Sequence, residues 1–404
     1  NSLHTGHSDS LPIDSPSLSA DAAAPSAHWG PASLWSAQRD ADAQTLEALH
    51  IFLAGYGVRP RSLRATALAG GWENLNLLIK ADDERFVLRR YDVTAPPEVR
   101  WELELLRFLT ARGYPTAPLV KRTDGSLAGV FGGRPAALFG FVAGRHPAWD
   151  SAAAAEQAAM AIGLLHDCTR GLALRYPRTR MENRRRLTRF LAWLDRDEGG
   201  GATEGALQRL GEQVRQFVAV LETRLADAQG ALECGVVHHD AHGNNVLVDE
   251  QDQLVALLDF DDAHETYLLA DVAVLLDYWA TDHETHNLHL ERAARVLRGY
   301  RQARSRPLTA GEWALLPDLL ALFNLADATS YVMGRIRRGT PAEQAVADCS
   351  SYARFLHRTA SAAWRETLRD QLLTCVGGVG SARGAYLADP ATPAERGDRG
   401  EAVS

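Results

Sequence analysis

Between Val236 and Asp262 the chain reads Val-Val-His-His-Asp-Ala-His-Gly-Asn-Asn-Val-Leu-Val, then a polar turn, then Leu-Val-Ala-Leu-Leu-Asp-Phe-Asp-Asp. Two short apolar runs, Val246–Val248 and Leu254–Leu258, flank Asp249–Gln253, the pattern of a β-hairpin. Asp240 and Asn245 stand just before the first strand and Asp259 just after the second. A hairpin brings its outer ends together, so these three polar side chains converge. Two carboxylates and an amide offer oxygen ligands of the kind that suits Mg²⁺. A carboxylate left partly free can accept a proton from an attacking hydroxyl. Positioning, charge neutralisation and a base are what phosphoryl transfer requires.

His238-x-Asp240-x-x-x-x-Asn245 followed by Asp259-Phe260-Asp261 resembles the catalytic loop and metal-binding segment of the aminoglycoside phosphotransferase-like kinases, a superfamily that includes choline kinases and type II homoserine kinases. The resemblance implies Asp240 as catalytic base, Asn245 and Asp259 as Mg²⁺ ligands, and His238 as a residue that fixes the loop. Where the family has Gly-Asp-Leu-His-Pro-Gly-Asn, this chain has His239-Asp240-Ala241-His242-Gly243-Asn244-Asn245. The key polar positions are kept, while His replaces Gly before the Asp. Asp271 matches a family Asp that bonds backbone around the catalytic loop.

The same residues carry a rival reading. His238, Asp240 and His242 alternate, and on an extended loop they could bind zinc for a metallohydrolase. Further ligands would come from His264, His283, His286 or His289. The last three are spaced by three, as on one face of a helix exposed to solvent. This reading leaves Asn245 without a role.

Composition narrows the alternatives. A formal charge of −8 argues against general nucleic-acid binding. Cys168, Cys234, Cys349 and Cys375 have no paired spacing, so neither a disulfide framework nor a zinc knuckle is expected. No apolar run is long enough for a membrane span, and the N-terminus has no signal-peptide pattern. A cytoplasmic protein without membrane partners is the expectation.

Residues 1–43 and 376–404 are rich in small and polar residues and are expected to be disordered tails. Between them, a helix is expected over Thr45–Tyr56, strands over Leu63–Leu68, Leu75–Lys80 and Phe86–Arg90, and a helix over Pro97–Ala111. Gly70-Gly71 with Asn74 resembles the family's Gly-Gly-x-x-Asn loop over the nucleotide phosphates; glycine pairs let backbone amides approach a phosphate. Arg89 stands where the family strand carries a phosphate-contacting lysine, and Arg keeps the charge with a different geometry. By the same resemblance Glu102 is its ion-pair partner, with Glu104 as the alternative. The strand Arg134–Phe141 resembles the hinge, where Phe139 and Phe141 mark the backbone that adenine would contact.

Further helices are expected over Ser151–Asp167, Ala206–Leu225, Leu268–Tyr278 and Leu290–Tyr300. Another starts at a capping box at Thr309–Glu312, and a last one spans Pro341–Leu373. The seven arginines between Arg175 and Arg189 read as a solvated helix face.

The resemblance therefore implies an α+β, two-lobed protein-kinase-like fold: a small antiparallel-sheet lobe over 44–142 that binds nucleotide, and a mostly helical lobe over 143–375 that binds acceptor. The implied activity is ATP- and Mg²⁺-dependent phosphorylation of a small-molecule hydroxyl. A protein Ser/Thr kinase and a nucleotide-binding module without activity are the other readings of the same fold. Asp261, Asp262 and Glu265 make the connection after Asp259 acidic, which would favour an amine-bearing acceptor.

Overall fold

The computed structural model describes residues 40–68, 74–174, 182–196, 205–228, 230, 232–282 and 284–377. The expected tails, apart from 40–43, 376 and 377, and the Gly70-Gly71 loop lie outside these residues. Two compact units are present: one runs to Ala143 and takes in Leu174, and the other begins at Gly144.

The first unit opens with α1 (Ala43–Ala54), capped by Asp42, whose carboxylate accepts from Thr45 N at 2.8 Å. Ala41 N donates to Ala65 O at 2.8 Å, so the folded chain reaches back past the expected boundary at residue 43. β1 (Leu63–Ala67), β2 (Asn74–Ala81) and β3 (Glu84–Tyr91) form an antiparallel meander. α2 (Pro96–Ala111) comes next, with proline in its first turn where no intrahelical donor is needed. β4 (Leu119–Val120), β5 (Gly129–Phe131) and β6 (Arg134–Gly140) complete a six-stranded sheet ordered β1-β2-β3-β6-β4, with β5 also on β6.

Strand alternation sorts β3 into two faces. Phe86 and Leu88 pack with Leu49, Phe52 and Leu53 of α1 in the core of this unit. Arg89 and Tyr91 point to the opposite face, where Tyr91 meets α2.

The second unit is mainly helical: α3 (Ala152–Cys168), α4 (Asn183–Asp195), α5 (Ala206–Asp227), α6 (Leu269–Ala280), α7 (Leu290–Ala303) and α8 (Ala310–Arg337). Small residues let α3 and α7 approach closely. A Cβ on Gly299 would lie 2.2 Å from Glu156 O, and one on Gly163 would lie 2.8 Å from Ala303 Cβ. α8 starts at the expected capping box, formed in both directions by Thr309 and Glu312, and runs for 28 residues.

Three expectations are corrected here. The single last helix is three: α9 (Ala342–Ala347), α10 (Ser350–Thr359) and α11 (Trp364–Gly377). Asp348-Cys349 and Ala360–Ala363 interrupt it, and Cys349 heads α10 in an extended conformation. The arginine-rich stretch is not wholly a solvated face: Arg186 of α4 is buried, because its guanidinium bonds to Ser330 on α8. His286 and His289 lie not on a helix but in the link before α7, where His286 has a φ of 62° and His289 is the N-cap; His283 lies outside the described residues.

The hairpin forms as β8 (Val246–Val248) and β9 (Leu254–Leu257), closed by Asp249, whose carboxylate accepts from Gln251 N and Gln253 N, each at 2.9 Å. A second, unforeseen ribbon pairs β7 (Cys234–Val237) with β10 (His264–Tyr267). The catalytic-loop sequence therefore runs from the end of one two-stranded ribbon to the start of another.

Candidate active site

Val246 pairs with Leu257, and Leu258 N donates to Asn245 O at 2.8 Å, which extends the hairpin ladder by one step. Asn245 and Asp259 consequently leave the open end of the hairpin side by side. The Asn245 amide donates through Nδ2 to Asp240 O at 2.8 Å and to Asp240 Oδ2 at 2.9 Å. With both contacts on its nitrogen, its Oδ1 is turned to the other side as an acceptor. Asp259 sits at a φ of 61°, a left-handed conformation uncommon for a residue with a side chain.

Asp240 is held on both carboxylate oxygens. Oδ1 accepts from Tyr278 OH at 2.9 Å, and Oδ2 from Asn245. His242 Nε2 lies 3.4 Å from Oδ2. Burial opposes charge on His242, but its hydrogen bond to Asp240 and the charges of Asp240 and Asp259 hold its pKa above the ordinary imidazole value. Each carboxylate oxygen can take more than one hydrogen bond, so Asp240 keeps capacity for a proton from an acceptor hydroxyl.

His238 is fully buried. Its Nε2 lies 2.9 Å from Leu258 O, which can only accept, so Nε2 carries the proton. Nδ1 is then the acceptor for Asp240 N, at 3.2 Å. Both nitrogens are occupied in the neutral tautomer, and burial lowers the pKa accordingly. A zinc site on His238, Asp240 and His242 has no free nitrogen from His238. Among the described residues no three His, Cys, Asp or Glu side chains group as metal ligands.

The loop backbone is fixed by Asp271, whose Oδ1 and Oδ2 accept from His239 N at 2.7 Å and His238 N at 2.8 Å. His166 on α3 joins Oδ2 through Nε2 at 3.0 Å and meets Tyr300 OH through Nδ1 at 2.9 Å. Burial alone would raise Asp271, but the hydrogen bond and charge of His166, with the backbone donors, hold it below the usual carboxyl value. His239, between the Asp271 contacts and Asp240, has a φ of 69°. Glycine reaches this region without strain, which explains the family's Gly at this position; His is held there by its surroundings.

Tyr278 and Trp279 contact the loop at Asp240 and Ala241, and sequence reasoning missed both. Trp279 Nε1 donates to Ala241 O at 2.8 Å. Their signal was the spacing from Asp271: seven and eight residues place them two turns along the same face of α6. Trp149 was missed too, its half-exposed ring 5.7 Å from that of His242.

Carboxylates crowd this end of the hairpin. Burial, with the charges of Asp240, Asp259 and Asp261, pushes Asp262 up to about 7 against a partial offset from Arg186. Glu265 lies on β10 opposite Val236.

The expected nucleotide residues lie in the first unit. Arg89 stands with its guanidinium carbon 5.5 Å from the centre of the Tyr91 ring, and Tyr91 OH donates to the buried Glu102 at 3.0 Å. One tyrosine thus links the two residues, while Glu104 is only partly buried. Asn74 Oδ1 accepts from Asp92 N at 3.3 Å. Phe139 is buried within β6, paired with Val87 and Leu119. The N–H of Gly140 goes to Pro118 O and that of Phe141 to Arg85 O, so carbonyls or later residues are what a base would meet here.

An antiparallel sheet unit and a helical unit, with two carboxylates and an amide gathered at the open end of a hairpin, have the architecture of the protein-kinase-like class. Residues 64–307 match the model of the phosphotransferase enzyme family, and the chain belongs to that family. It is 31% identical over 280 residues to homoserine kinase from Pseudomonas aeruginosa, an alignment covering 68% of this chain and 81% of the relative. It is similar in fold to an aminoglycoside phosphotransferase from Alicyclobacillus acidocaldarius (TM-score 0.55, 17% identity, 82% of this chain and 96% of that one). A microcompartment-associated aminopropanol kinase shares the fold with a TM-score of 0.52 and 20% identity, over 82% of this chain and 98% of that one. The protein is a small-molecule kinase that uses ATP to phosphorylate a hydroxyl group. No helix among the described residues is long and apolar enough to cross a membrane.

Proposed function

We propose that Asp240 is the catalytic base, that Asn245 and Asp259 hold Mg²⁺, and that the acceptor is a small alcohol bearing an amine. The observation that carries this reading is the double anchoring of the Asp240 carboxylate by Tyr278 and Asn245. It fixes both oxygens before any acceptor arrives, which is the pre-organisation that positioning catalysis needs.

The donor set suits a hard cation. The Asn245 amide oxygen and the Asp259 carboxylate are oxygen ligands, and His238 is occupied elsewhere. When bound, Mg²⁺ supplies neutralisation of the charge on the transferred phosphoryl group and its leaving oxygen. The chain's own residues do the rest. Asp240 accepts the hydrogen bond of the acceptor hydroxyl and takes its proton as the hydroxyl attacks. Asn245 keeps Asp240 in place through its amide N–H. His238 fixes the loop by its two hydrogen bonds and stays neutral.

In the first unit, Arg89 is assigned to the nucleotide phosphates, with Glu102 steadying it through the surface shared with Tyr91. Gly70, Gly71 and Asn74 are assigned to the phosphate loop, and the segment around Phe139 and Phe141 to the adenine. In this reading residues 44–142 serve the nucleotide and 143–375 the chemistry and the acceptor. An ATP-using enzyme of this kind is assigned to the cytoplasm.

The crowded carboxylates around Asp240 support an amine-bearing acceptor, since a positive charge is favoured there. The homoserine kinases and the aminopropanol kinase among its relatives and structural neighbours are named for acceptors of that chemistry. The test measures ADP release with ATP and Mg²⁺ across homoserine, aminopropanol, ethanolamine, choline and glycerol. Turnover is expected with amine-bearing alcohols. Asp240→Asn should lower turnover by about 10²–10⁴ and leave ATP affinity nearly unchanged. Full activity in that variant, or turnover of glycerol alone, would overturn the assignment.

A further inference from the structure

One face of α8 carries Phe323, Asp327 and Ser330. Phe323 lies under the catalytic loop, its ring 5.7 Å from that of Tyr278 and 5.6 Å from that of His239. One and two turns further on, Asp327 and Ser330 receive Arg186 from α4. Arg186 donates through Nε to Ser330 Oγ at 3.0 Å, but its Nη1 contact with Asn183 is 3.4 Å and its Nη2 contact with Asp327 is 3.5 Å. A well-formed guanidinium–carboxylate pair closes to about 2.8 Å, often with two bonds. This pair is open. The Arg186 side chain is 8% exposed while that of Asp327 is 45% exposed.

An ion pair built only to join α4 and α8 would be expected to close. The charge of Arg186 also reaches the catalytic loop, where it favours neutral His239 and ionised Asp262. A separate observation marks the same place as unfinished. His239 is 2% exposed, and its Nε2 has no hydrogen-bond partner among the described residues. Buried polar atoms of native proteins are almost always paired. This one sits on a residue held at a strained backbone angle, directly before Asp240 and against Phe323.

On this basis we propose that Arg186 and Asp327 are the specificity-determining pair for the acceptor: Arg186 binds a carboxylate and Asp327 an ammonium group. The inference rests on the reading of the acceptor as an amine-bearing alcohol and narrows it to a zwitterionic hydroxy-amino acid. The geometry also limits length. Asp240 is reached at the level of Phe323 and the ion pair at the level of Asp327, one turn or about 6 Å along the helix. A short acceptor spans that distance with its hydroxyl at Asp240. Its two opposite charges would replace the loose contact between Arg186 and Asp327 with two close ones, and His239 Nε2 is available to the same end of the ligand.

The test uses the full chain with ATP and Mg²⁺ and three acceptors: L-homoserine, 3-amino-1-propanol, which lacks the carboxylate, and 4-hydroxybutyrate, which lacks the amine. Wild type should have its lowest KM for homoserine. Arg186→Gln should raise that KM on the order of 10- to 100-fold, with kcat, the KM for aminopropanol and the KM for ATP nearly unchanged. Asp327→Asn should raise the KM for both amine-bearing acceptors. Ser330→Ala, which frees only the Nε anchor, provides a milder variant with the same selectivity should Arg186→Gln fold poorly. Equal losses for homoserine and aminopropanol in the Arg186 and Ser330 variants would mark a structural role and overturn the proposal, as would an unchanged KM for homoserine. Wild type that turns over aminopropanol as well as homoserine refutes the carboxylate claim alone. Wild type that turns over neither refutes the broader acceptor reading, and this inference with it.

Discussion

Asp271→Asn is the substitution whose effect can be worked most directly from the geometry. The change is nearly isosteric, so packing around the side chain is kept. The carboxylate accepts from His239 N on one oxygen and from His238 N and His166 Nε2 on the other. An amide can accept on one side only. If its oxygen serves His238 and His166, its NH₂ group faces His239 N–H, donor against donor. One charge-assisted bond is lost, at about 1.5–3 kcal/mol, and a buried N–H is left unpaired. A total near 3 kcal/mol is expected, which in a chain of this size lowers Tm by roughly 4 °C. The sign with pH is fixed. Asp271 has its pKa held below 3.8, so its stabilisation is present above that value and lost as pH falls through the folded-state value. The gap between wild type and variant should therefore be full at pH 7 and close in acid. Released from Asp271, His239 and with it Asp240 shift, and a displacement of about 1 Å at a reacting group costs on the order of 10² in rate. Thermal melts at several pH values and steady-state kinetics read both effects. A variant with unchanged Tm and kcat would refute the assignment of Asp271 as the anchor of the catalytic loop.

Three further substitutions have outcomes set by the same structure. In metal-free buffer Asp262→Asn should stabilise the protein above pH 7, on the order of 2 kcal/mol after allowing for its partial exposure. Asp262 is pushed up to about 7, so the folded state holds its proton more tightly than the unfolded chain; wild type recovers stability as pH falls, and the difference in melts should shrink between pH 7 and pH 5. Glu102→Gln should raise the KM for ATP about tenfold, as loss of one charge-assisted contact would, while sparing the KM for the acceptor. Gly299→Ala should destabilise by about 1–3 kcal/mol in chemical denaturation, because its Cβ would meet Glu156 O at 2.2 Å.

Legibility in the sequence was local. The hairpin could be read because its apolar runs, its Asp249 turn and the motif residues lie within one short stretch, and the strands of the first unit announce themselves by alternation. The partners of the site come from far along the chain. His166 is 105 residues from Asp271 and Tyr278 is 38 from Asp240, and no pattern within a window joins them. Arg186 looked like one more surface arginine because its burial depends on Ser330 and Asp327, well over a hundred residues away. The stretch expected as one helix over Pro341–Leu373 is three helices because Asp348, Ser350 and Ser361 are weak breakers, effective only where tertiary packing turns the chain. The β7–β10 ribbon was missed because its strands are short and pair across the whole length of the intervening hairpin.

The anchoring of the loop by Asp271 has a kinetic meaning as well. The amides of His238 and His239 are sealed by a carboxylate that is itself 1% exposed and tied to α3 and α6. Neither amide can open to solvent by a local fluctuation of the loop alone, since opening separates helices at the centre of the second unit. Hydrogen exchange at these two positions is thus expected to report the deepest unfolding events of that unit rather than loop breathing. Heat inactivation should then coincide with loss of the helical core, with no earlier phase in which the fold persists and the catalytic loop has already come apart.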